Sequence, residues 1–595
     1  VNNPAELVVP RVQAAIATAF GEEFRQADPV VRPSQFADIQ INAAMALAKK
    51  AGLPPREAAA KIVDALDLDG ICTRVEISGP GFINLSYDGA WIEELLNAEA
   101  AQAASPATAV TPAATPQRVV VDYSSPNVAK EMHVGHLRTT VVGDSLVKVL
   151  EALGDTVIRQ NHIGDWGTPF GMLIEHWLEI GEDSPEAALL VDDPSAFYQA
   201  ARAKFDASAN DENGFATRAR LRVVALQGGD PETFAVWQRL VAQSRRYFNA
   251  IYDMLGISLT DDHIAGESSY DAHLAQLCQE LEERGLARIS DGALCTFPEG
   301  FTGRDGQPLP LIIRKSDGGY GYGTTDLATI RYRVRELGAD RVLYVVGAPQ
   351  NVHLRMVMAS ARDAGWLPDT VEAVHVQIGN VLGADGKILK SRSGAPVKLM
   401  ALLEEAVDRA RAVIDASRPE LSDAERAVTA RQVGIGAVKY ADLSTGHDTE
   451  YVFDFDRMLA LSGNTGPYVQ YAAARIRSIL RKAGALEQDA DGGTPANGGG
   501  TARAIAVVEP AERALALHLL EFDTTLSKVR DALEPHRLCG YLFELAQLFT
   551  SFYDQCPVLK AEEPVRESRL ALCALVLRRL SGGLELLGIE TPENM

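Results

Sequence analysis

Pro126-Asn127-Val128-Ala129-Lys130-Glu131-Met132-His133-Val134-Gly135-His136-Leu137-Arg138 is the stretch that decides the fold. Before it lies Arg118-Val119-Val120-Val121-Asp122-Tyr123, a β-branched run that reads as a strand. After it, residues 137–153 carry apolar side chains at helical spacing and stop at Gly154. A strand that feeds a helix through a polar loop is where an α/β sheet binds phosphate. The helix start offers free N–H groups and the positive end of its dipole. Histidines there donate to phosphate oxygens, and Gly135 lets a nucleotide lie against the backbone. By itself the HxxH pair also fits two surface histidines or one turn of a zinc site, although such a site wants further Cys, His or carboxylate ligands.

Similar strands recur at 155–160, 341–347 and 372–376, separated by helical patterns, with a helix-rich insertion at about 182–265. These features predict a multidomain α/β protein built on a Rossmann-type parallel sheet, covered on both faces. Residues 1–97 mix helices with short strands around the Ser78-Gly79-Pro80-Gly81 turn and read as a small α+β domain. The Ala/Thr/Pro-rich stretch 98–117 reads as a linker and 118–396 as the sheet domain. Beyond 397 the pattern is helical: a region at 397–460, then an all-α bundle at 461–595 interrupted by a Gly/Pro/Asp-rich loop at 485–500 that reads as mobile.

At 595 residues the chain has room for about three or four domains. The six cysteines are scattered without CxxC, which predicts neither a disulfide framework nor a zinc ribbon and fits a reducing cytoplasm. The opening Val1-Asn2-Asn3-Pro4-Ala5-Glu6 does not read as a signal peptide, and no apolar run approaches membrane-spanning length. The formal net charge of −23 argues against indiscriminate nucleic-acid binding but leaves room for a local basic site. Residues 458–484, with Arg475, Arg477, Arg481 and Lys482, fit such a site and equally fit a solvated helix face.

Two more loops carry chemistry. The glycine-rich stretch 379–394 holds Lys387, Lys390 and Arg392 and can close over a polyphosphate; it also reads as a surface turn with solvated lysines. In Gly321-Tyr322-Gly323-Thr324-Thr325-Asp326 a threonine can cap a helix, while Tyr322 and Asp326, four apart, form a polar wall. With Asp122 they offer two carboxylates and a ring, which suit a guanidinium.

Together these motifs resemble the arginyl-tRNA synthetases of class I, in the right order along essentially the whole chain. The histidine loop resembles the HIGH signature with its preceding Ser-Ser-Pro-Asn-Val-Ala-Lys. Gly164-Asp165-Trp166-Gly167 resembles a second block, the 387–394 loop stands where KMSKS belongs, and Gly466-Pro467-Tyr468 and the closing residues to Met595 resemble the anticodon-binding domain. The resemblance implies a ligase that joins L-arginine to tRNA(Arg) through an arginyl-adenylate, with ATP as substrate, Mg²⁺ arriving with ATP and no tightly bound metal. It implies that Asp122, Asn127, His133, Tyr322, Asp326 and Gln350 hold arginine, with Glu267 a weaker candidate. His133, Gly135, His136 and Lys390 are implied for ATP; His133, His136, Lys130, Lys390 and Arg392 for catalysis. Phe82 and Asn84 are implied for the tRNA elbow, and Arg475, Arg477 and Arg481 for tRNA through the helical domain. The general class I loop has lysine where Ser391 stands, so Lys130 looks like the substitute charge. A cytoplasmic monomer is expected. A paralogue of the same fold, acting in tRNA binding or regulation or supplying a secondary pathway, stays open as an alternative; the intact motifs weigh against a non-catalytic one. A Rossmann oxidoreductase is excluded, because no GxGxxG follows the first strand.

Overall fold

The computed structural model describes residues 3–595 except 105–107, 109, 210, 304–305, 317, 391–396 and 486–503. Arg392 and the expected mobile loop, apart from Ala485, therefore lie outside the described residues. The central sheet is four-stranded and parallel, in the order Glu372–Ile378, Arg341–Gly347, Arg118–Asp122, Thr156–Gln160. Val119, Val120 and Val121 are fully buried, as a strand covered on both faces requires. The chain runs outward from Arg118–Asp122 to Thr156–Gln160, then returns to the opposite side of the first strand at Arg341–Gly347. Strand order therefore reverses between Asp122 and its register partner Tyr344, and the loops beyond them frame a crevice.

The insertion is helical as expected, with Pro194–Ala207, Phe215–Gln227 and Pro231–Leu255 as its main elements. A three-stranded antiparallel sheet, Ala287–Ser290, Ala293–Thr296 and Leu311–Arg314, stands between it and the returning strand. The sequence reading missed this sheet because its strands are four residues each, too short to display a period. The N-terminal domain is a four-stranded antiparallel sheet with helices Pro4–Phe20, Ala43–Ala51 and Pro55–Asp64. Helix Gly89–Ala100 crosses the expected boundary at 97. Leu399–Ser417 and Asp423–Leu443 form a hairpin, and helices from Gly466–Lys482 to Val565–Leu586 complete the all-α portion.

The expected linker is tied down over its last part. Thr111 Oγ1 donates to Asp523 Oδ2 at 2.5 Å and Ala113 N–H to the Leu153 carbonyl at 2.8 Å. Arg530, on helix Phe522–Ala532, forks onto Asp155 with Nε–Oδ2 at 2.7 Å and Nη2–Oδ1 at 2.9 Å. It also donates to the Thr115 carbonyl, while its own carbonyl accepts from Arg341 at 3.0 Å. One residue of the last domain thus touches the entry of three adjacent strands. Thr111 and Thr115 are poor core formers, and their polar atoms are instead spent as a strap.

Arg138 and Asp442, both fully buried, join the histidine-loop helix to the hairpin at 3.1 Å. Arg138 further donates to the carbonyls of Thr449 at 2.6 Å and Gly446 at 3.2 Å, and Tyr451 donates to Asp442. Removing one member of such a pair strands a buried charge. Asp442→Ala is expected to lower unfolding free energy by about 3–5 kcal/mol, read as an earlier denaturant midpoint. Replacing both residues with leucine should recover part of the loss. An unchanged midpoint for the single variant would show that the pair carries no weight at this junction.

Candidate active site

The loop after Arg118–Asp122 is strained and pinned. Ser124 (φ 68°), Ser125 (φ 46°) and Ala129 (φ 59°) occupy the left-handed region, which costs L-residues about 1–2 kcal/mol each. Hydrogen bonds hold them there. Ser124 Oγ meets the Tyr252 hydroxyl at 2.7 Å and accepts from Thr140 Oγ1 at 2.8 Å. Ser125 N–H donates to Asn161 Oδ1 at 3.0 Å, and Ala129 N–H to Ser244 Oγ at 2.8 Å. Ser244 and Tyr252 belong to the insertion helix Pro231–Leu255, so the insertion shapes the loop. Asn127 is exposed and lies beside Gly164, where a Cβ would stand 2.2 Å from the Asn127 amide oxygen.

The two histidines cap the helix Val134–Ala152. His133 Nδ1 accepts Gly135 N–H and His136 Nδ1 accepts His133 N–H, both at 3.1 Å, and the rings lie 4.2 Å apart. Because each Nδ1 faces a backbone donor, each neutral ring carries its proton on Nε2, free to donate to a ligand. Burial, and secondarily Lys130, lowers the His133 pKa; burial, and secondarily His133, brings His136 down to about 3. The pair therefore presents uncharged N–H donors. Gly135 is required: a Cβ there would meet the His133 ring at 2.8 Å. Lys130 is exposed, with Nζ 4.5 Å from the centroid of the Tyr198 ring.

Across the crevice, helix Tyr322–Arg335 brings an exposed Tyr322 and a partly buried Asp326. Asp326 Oδ2 lies 2.5 Å from His353 Nε2, and that hydrogen bond raises the His353 pKa. Glu267 joins them. Burial first, then Asp326 and Asp165, pushes its carboxyl up to about 8. Burial, Glu267, Tyr198 and Asp326 in that order raise the Tyr322 phenol. The acidic wall is therefore Glu267, Asp326 and Tyr322. The Gly164-Asp165-Trp166-Gly167 block fixes Glu267 in place: Asp165 accepts from Ser268 N–H at 2.9 Å and Ser268 Oγ at 2.6 Å.

Asp122 is 4 % exposed and both its oxygens accept from within the protein. Arg333 Nη2 donates to Oδ2 at 2.7 Å and Ser125 Oγ to Oδ1 at 2.8 Å. It reaches a ligand only by sharing those oxygens, and it underpins the loop and the acidic helix. Gln350 ends the turn Ala348–Gln350 after the returning strand and is exposed at the crevice rim. Lys390 is exposed on the glycine-rich loop, beside the Leu389 N–H to Val381 carbonyl bond of 2.9 Å. The chain re-enters the site at Val397, whose carbonyl accepts from Val134 N–H at 3.0 Å, and Lys398 pairs with Glu131 at 2.9 Å.

The candidate nucleic-acid contacts are engaged internally. Asn84 is buried, accepting from Ser34 at 2.8 Å and donating to Ser78 at 2.7 Å, beside a half-buried Phe82. Arg477 donates to the carbonyls of Thr591 at 3.3 Å and Pro592 at 2.8 Å; Arg481 donates to that of Glu593 at 2.8 Å. These two guanidinium groups clamp the closing residues of the chain, a task no sequence pattern announced. Arg475 lies over the Tyr553 ring at 4.7 Å.

Chemically, the crevice offers neutral donors and a lysine at one end and clustered carboxylates at the other, a fit to a polyphosphate beside a cationic small molecule. Three family models match the sequence: "tRNA synthetases class I (R), catalytic domain" over residues 102–455, "DALR anticodon binding domain" over 469–595, and "Arginyl tRNA synthetase N terminal domain" over 8–87. The chain is 62 % identical over 598 residues to the arginine–tRNA ligase of Thermobifida fusca and 46 % identical over 597 to that of Edwardsiella ictaluri, covering all of each. Among solved structures it is similar to the arginyl-tRNA synthetase of Plasmodium falciparum (TM-score 0.82, 27 % identity, 99 % of both chains). It is also similar to that of Thermus thermophilus (TM-score 0.76, 26 % identity, 98 % of this chain and 99 % of the other).

The tautomer assignment is measurable by NMR of the histidine ring nitrogens. His136 is expected to stay neutral, with its proton on Nε2, until the pH approaches about 3. His133 should titrate below 6.5. As pH falls below 6.5 the unfolded chain binds protons that the folded one refuses, so both rings work against the fold in acid. A ring titrating at or above 6.5 would refute the neutral-donor reading.

Proposed function

The chain belongs to the class I arginyl-tRNA synthetase family, and we propose from its crevice how it makes L-arginyl-tRNA(Arg) from L-arginine, ATP and tRNA(Arg). The observation that carries this reading is the pairing of one acidic wall, Glu267, Asp326 and Tyr322, with neutral histidine donors and Lys130 across a single strand-order reversal. In the first step the arginine carboxylate attacks the α-phosphorus of ATP and pyrophosphate leaves. In the second the terminal ribose hydroxyl of the tRNA attacks the activated carbonyl and AMP leaves. No covalent enzyme intermediate is called for; positioning and charge stabilisation are the protein's tasks.

In this reading Asp326 and Glu267 take the guanidinium with Tyr322 against its face, while Asn127, His133, Gln350 and the shared oxygens of Asp122 address the amino and carboxylate groups. His133 and His136 donate Nε2–H to the phosphates, and Gly135 gives them room. Lys130, Lys390 and Arg392 bring the positive charge that neutral histidines lack, Lys130 standing in for the lysine replaced by Ser391. Mg²⁺ enters with ATP, held by phosphate oxygens and water. Phe82 faces the tRNA elbow, which Asn84 reaches only by giving up its bonds to Ser34 and Ser78; Arg475 serves the tRNA through the helical domain, and Arg477 and Arg481 do so only beside the carbonyls they clamp. On this reading the chain is a monomer acting in cytoplasmic translation. Among the described residues no helix is long and apolar enough to cross a membrane.

The assignment is tested by aminoacylation with labelled arginine and tRNA, with lysine and citrulline as competitors. Lysine lacks the planar fork and citrulline leaves buried carboxylates unpaired, so neither should compete. Asp326→Ala is expected to lower kcat/KM for arginine by about a hundredfold or more; a normal KM for arginine in that variant would disprove the pocket.

The acidic wall also predicts a pH dependence. With its carboxyl pushed up to about 8, Glu267 is mostly protonated at neutral pH, and a guanidinium requires it ionised. Arginine binding then expels a proton, and KM for arginine falls as pH rises from 6.5 towards 8, by at most about tenfold per pH unit. Loss of charge from His353 acts in the same direction by freeing Asp326. Glu267→Gln should raise KM and flatten the profile. A wild-type profile already flat over this range would remove Glu267 from the guanidinium site.

A further inference from the structure

The first turn of insertion helix Pro194–Ala207 faces two loops of the active site. Asp193 caps it, accepting Ala196 N–H at 3.1 Å, and stands 3.6 Å from Lys398 Nζ. Ser195 Oγ donates to Glu131 at 2.6 Å. Three residues on, and so on the same face of the helix, Tyr198 turns its ring to Lys130, whose Nζ lies 4.5 Å from the ring centroid. Tyr198 is also near enough to Tyr322 to be among the groups that raise its phenol.

Lys130 has a special requirement. It is exposed, carries a flexible four-carbon stem and makes no ion pair among the described residues. Its neighbour Glu131 is already occupied by Ser195 and Lys398. A carboxylate would fix the lysine but cancel the charge it is needed for. An aromatic face attracts the ammonium through its quadrupole and leaves it cationic, able to donate to phosphate oxygens on its open side. We propose that Tyr198 is a positioning residue of the first reaction step, holding Lys130 by its ring face so that the ammonium is aimed at the ATP phosphates. The proposal rests on the reading of Lys130 as a phosphate-facing charge given above, and it assigns the insertion a direct part in adenylate formation.

Aminoacylation by the full chain with cognate tRNA, ATP and arginine each varied in turn while the other is saturating, tests it. Tyr198→Ala is expected to lower kcat about tenfold, with KM for arginine moving less than about twofold. Tyr198→Phe, which keeps the ring, should recover most of that loss. In a Lys130→Ala background, adding Tyr198→Ala should cost less than about twofold more, because the ring acts only through the lysine. A full further loss in that background, a loss confined to the KM for arginine, or a Phe variant as impaired as the Ala variant would each overturn the proposal. So would a silent Tyr198→Ala in an enzyme that Lys130→Ala cripples. A silent Lys130→Ala would instead sink the phosphate role of the lysine itself, and the tyrosine's role with it.

Discussion

The site is organised around one buried ion pair, Asp122 with Arg333. Asp122 ends the central strand, and Arg333 lies two turns beyond Asp326, on the same face of the helix that begins at Tyr322. Their 2.7 Å bond fixes how far the acidic helix stands from the sheet. The second oxygen of Asp122 takes Ser125, which sits in the strained loop that leads to the histidines. One carboxylate therefore sets the spacing between the two walls. Arg333 also lies over the Tyr344 ring on the neighbouring strand, 5.2 Å away, so the pair is braced by the sheet beneath it. A charge pair this deep adds little net stability over a hydrophobic one of the same shape, but it penalises any other arrangement of its partners.

The electrostatics of the crevice follow a division of labour. The chain as a whole is strongly acidic, and the groups expected to address ATP are not uniformly cationic. The histidine pair is kept neutral by burial, which spares the two rings, 4.2 Å apart, from repelling one another. Positive charge enters through flexible side chains, Lys130 and Lys390, that can follow a phosphate as it departs. On the opposite wall the reverse holds: burial first, and the neighbouring carboxylates after it, suppress the ionisation of Glu267, a cost that a guanidinium would offset.

Much of this was legible in the sequence, and the reasons differ by element. The run Val119–Val121 and the helix stopped near Gly154 are local patterns, and the sheet and the helical insertion followed from them. The histidine loop was legible as a ligand site, but its capping geometry was not, because HxxH does not say where Nδ1 points. Glu267 was a weak candidate because it enters the pocket from a segment beyond the insertion, brought there by Asp165 and Ser268. His353 and Tyr198 carry no motif and become visible only as partners of Asp326 and Lys130. The arginines of helix Gly466–Lys482 show the opposite case. A basic stripe in sequence is partly a set of clamps on backbone carbonyls.

Arg530 gives the molecule a timetable. Its contacts at the entry of the sheet reach back 375 residues to Asp155 and 415 to Thr115. At ribosomal speeds of about 5–20 residues per second, that separation is roughly 20–80 s of synthesis. In the last part of that interval, once Glu372–Ile378 has been made, the nascent sheet has its crevice end available while its opposite end lacks the guanidinium that closes it. Asp155, fully buried in the finished protein, spends that time without its counter-charge. The catalytic region thus completes its floor only when the final domain emerges, which links maturation of the crevice to the arrival of the helices at the far end of the chain.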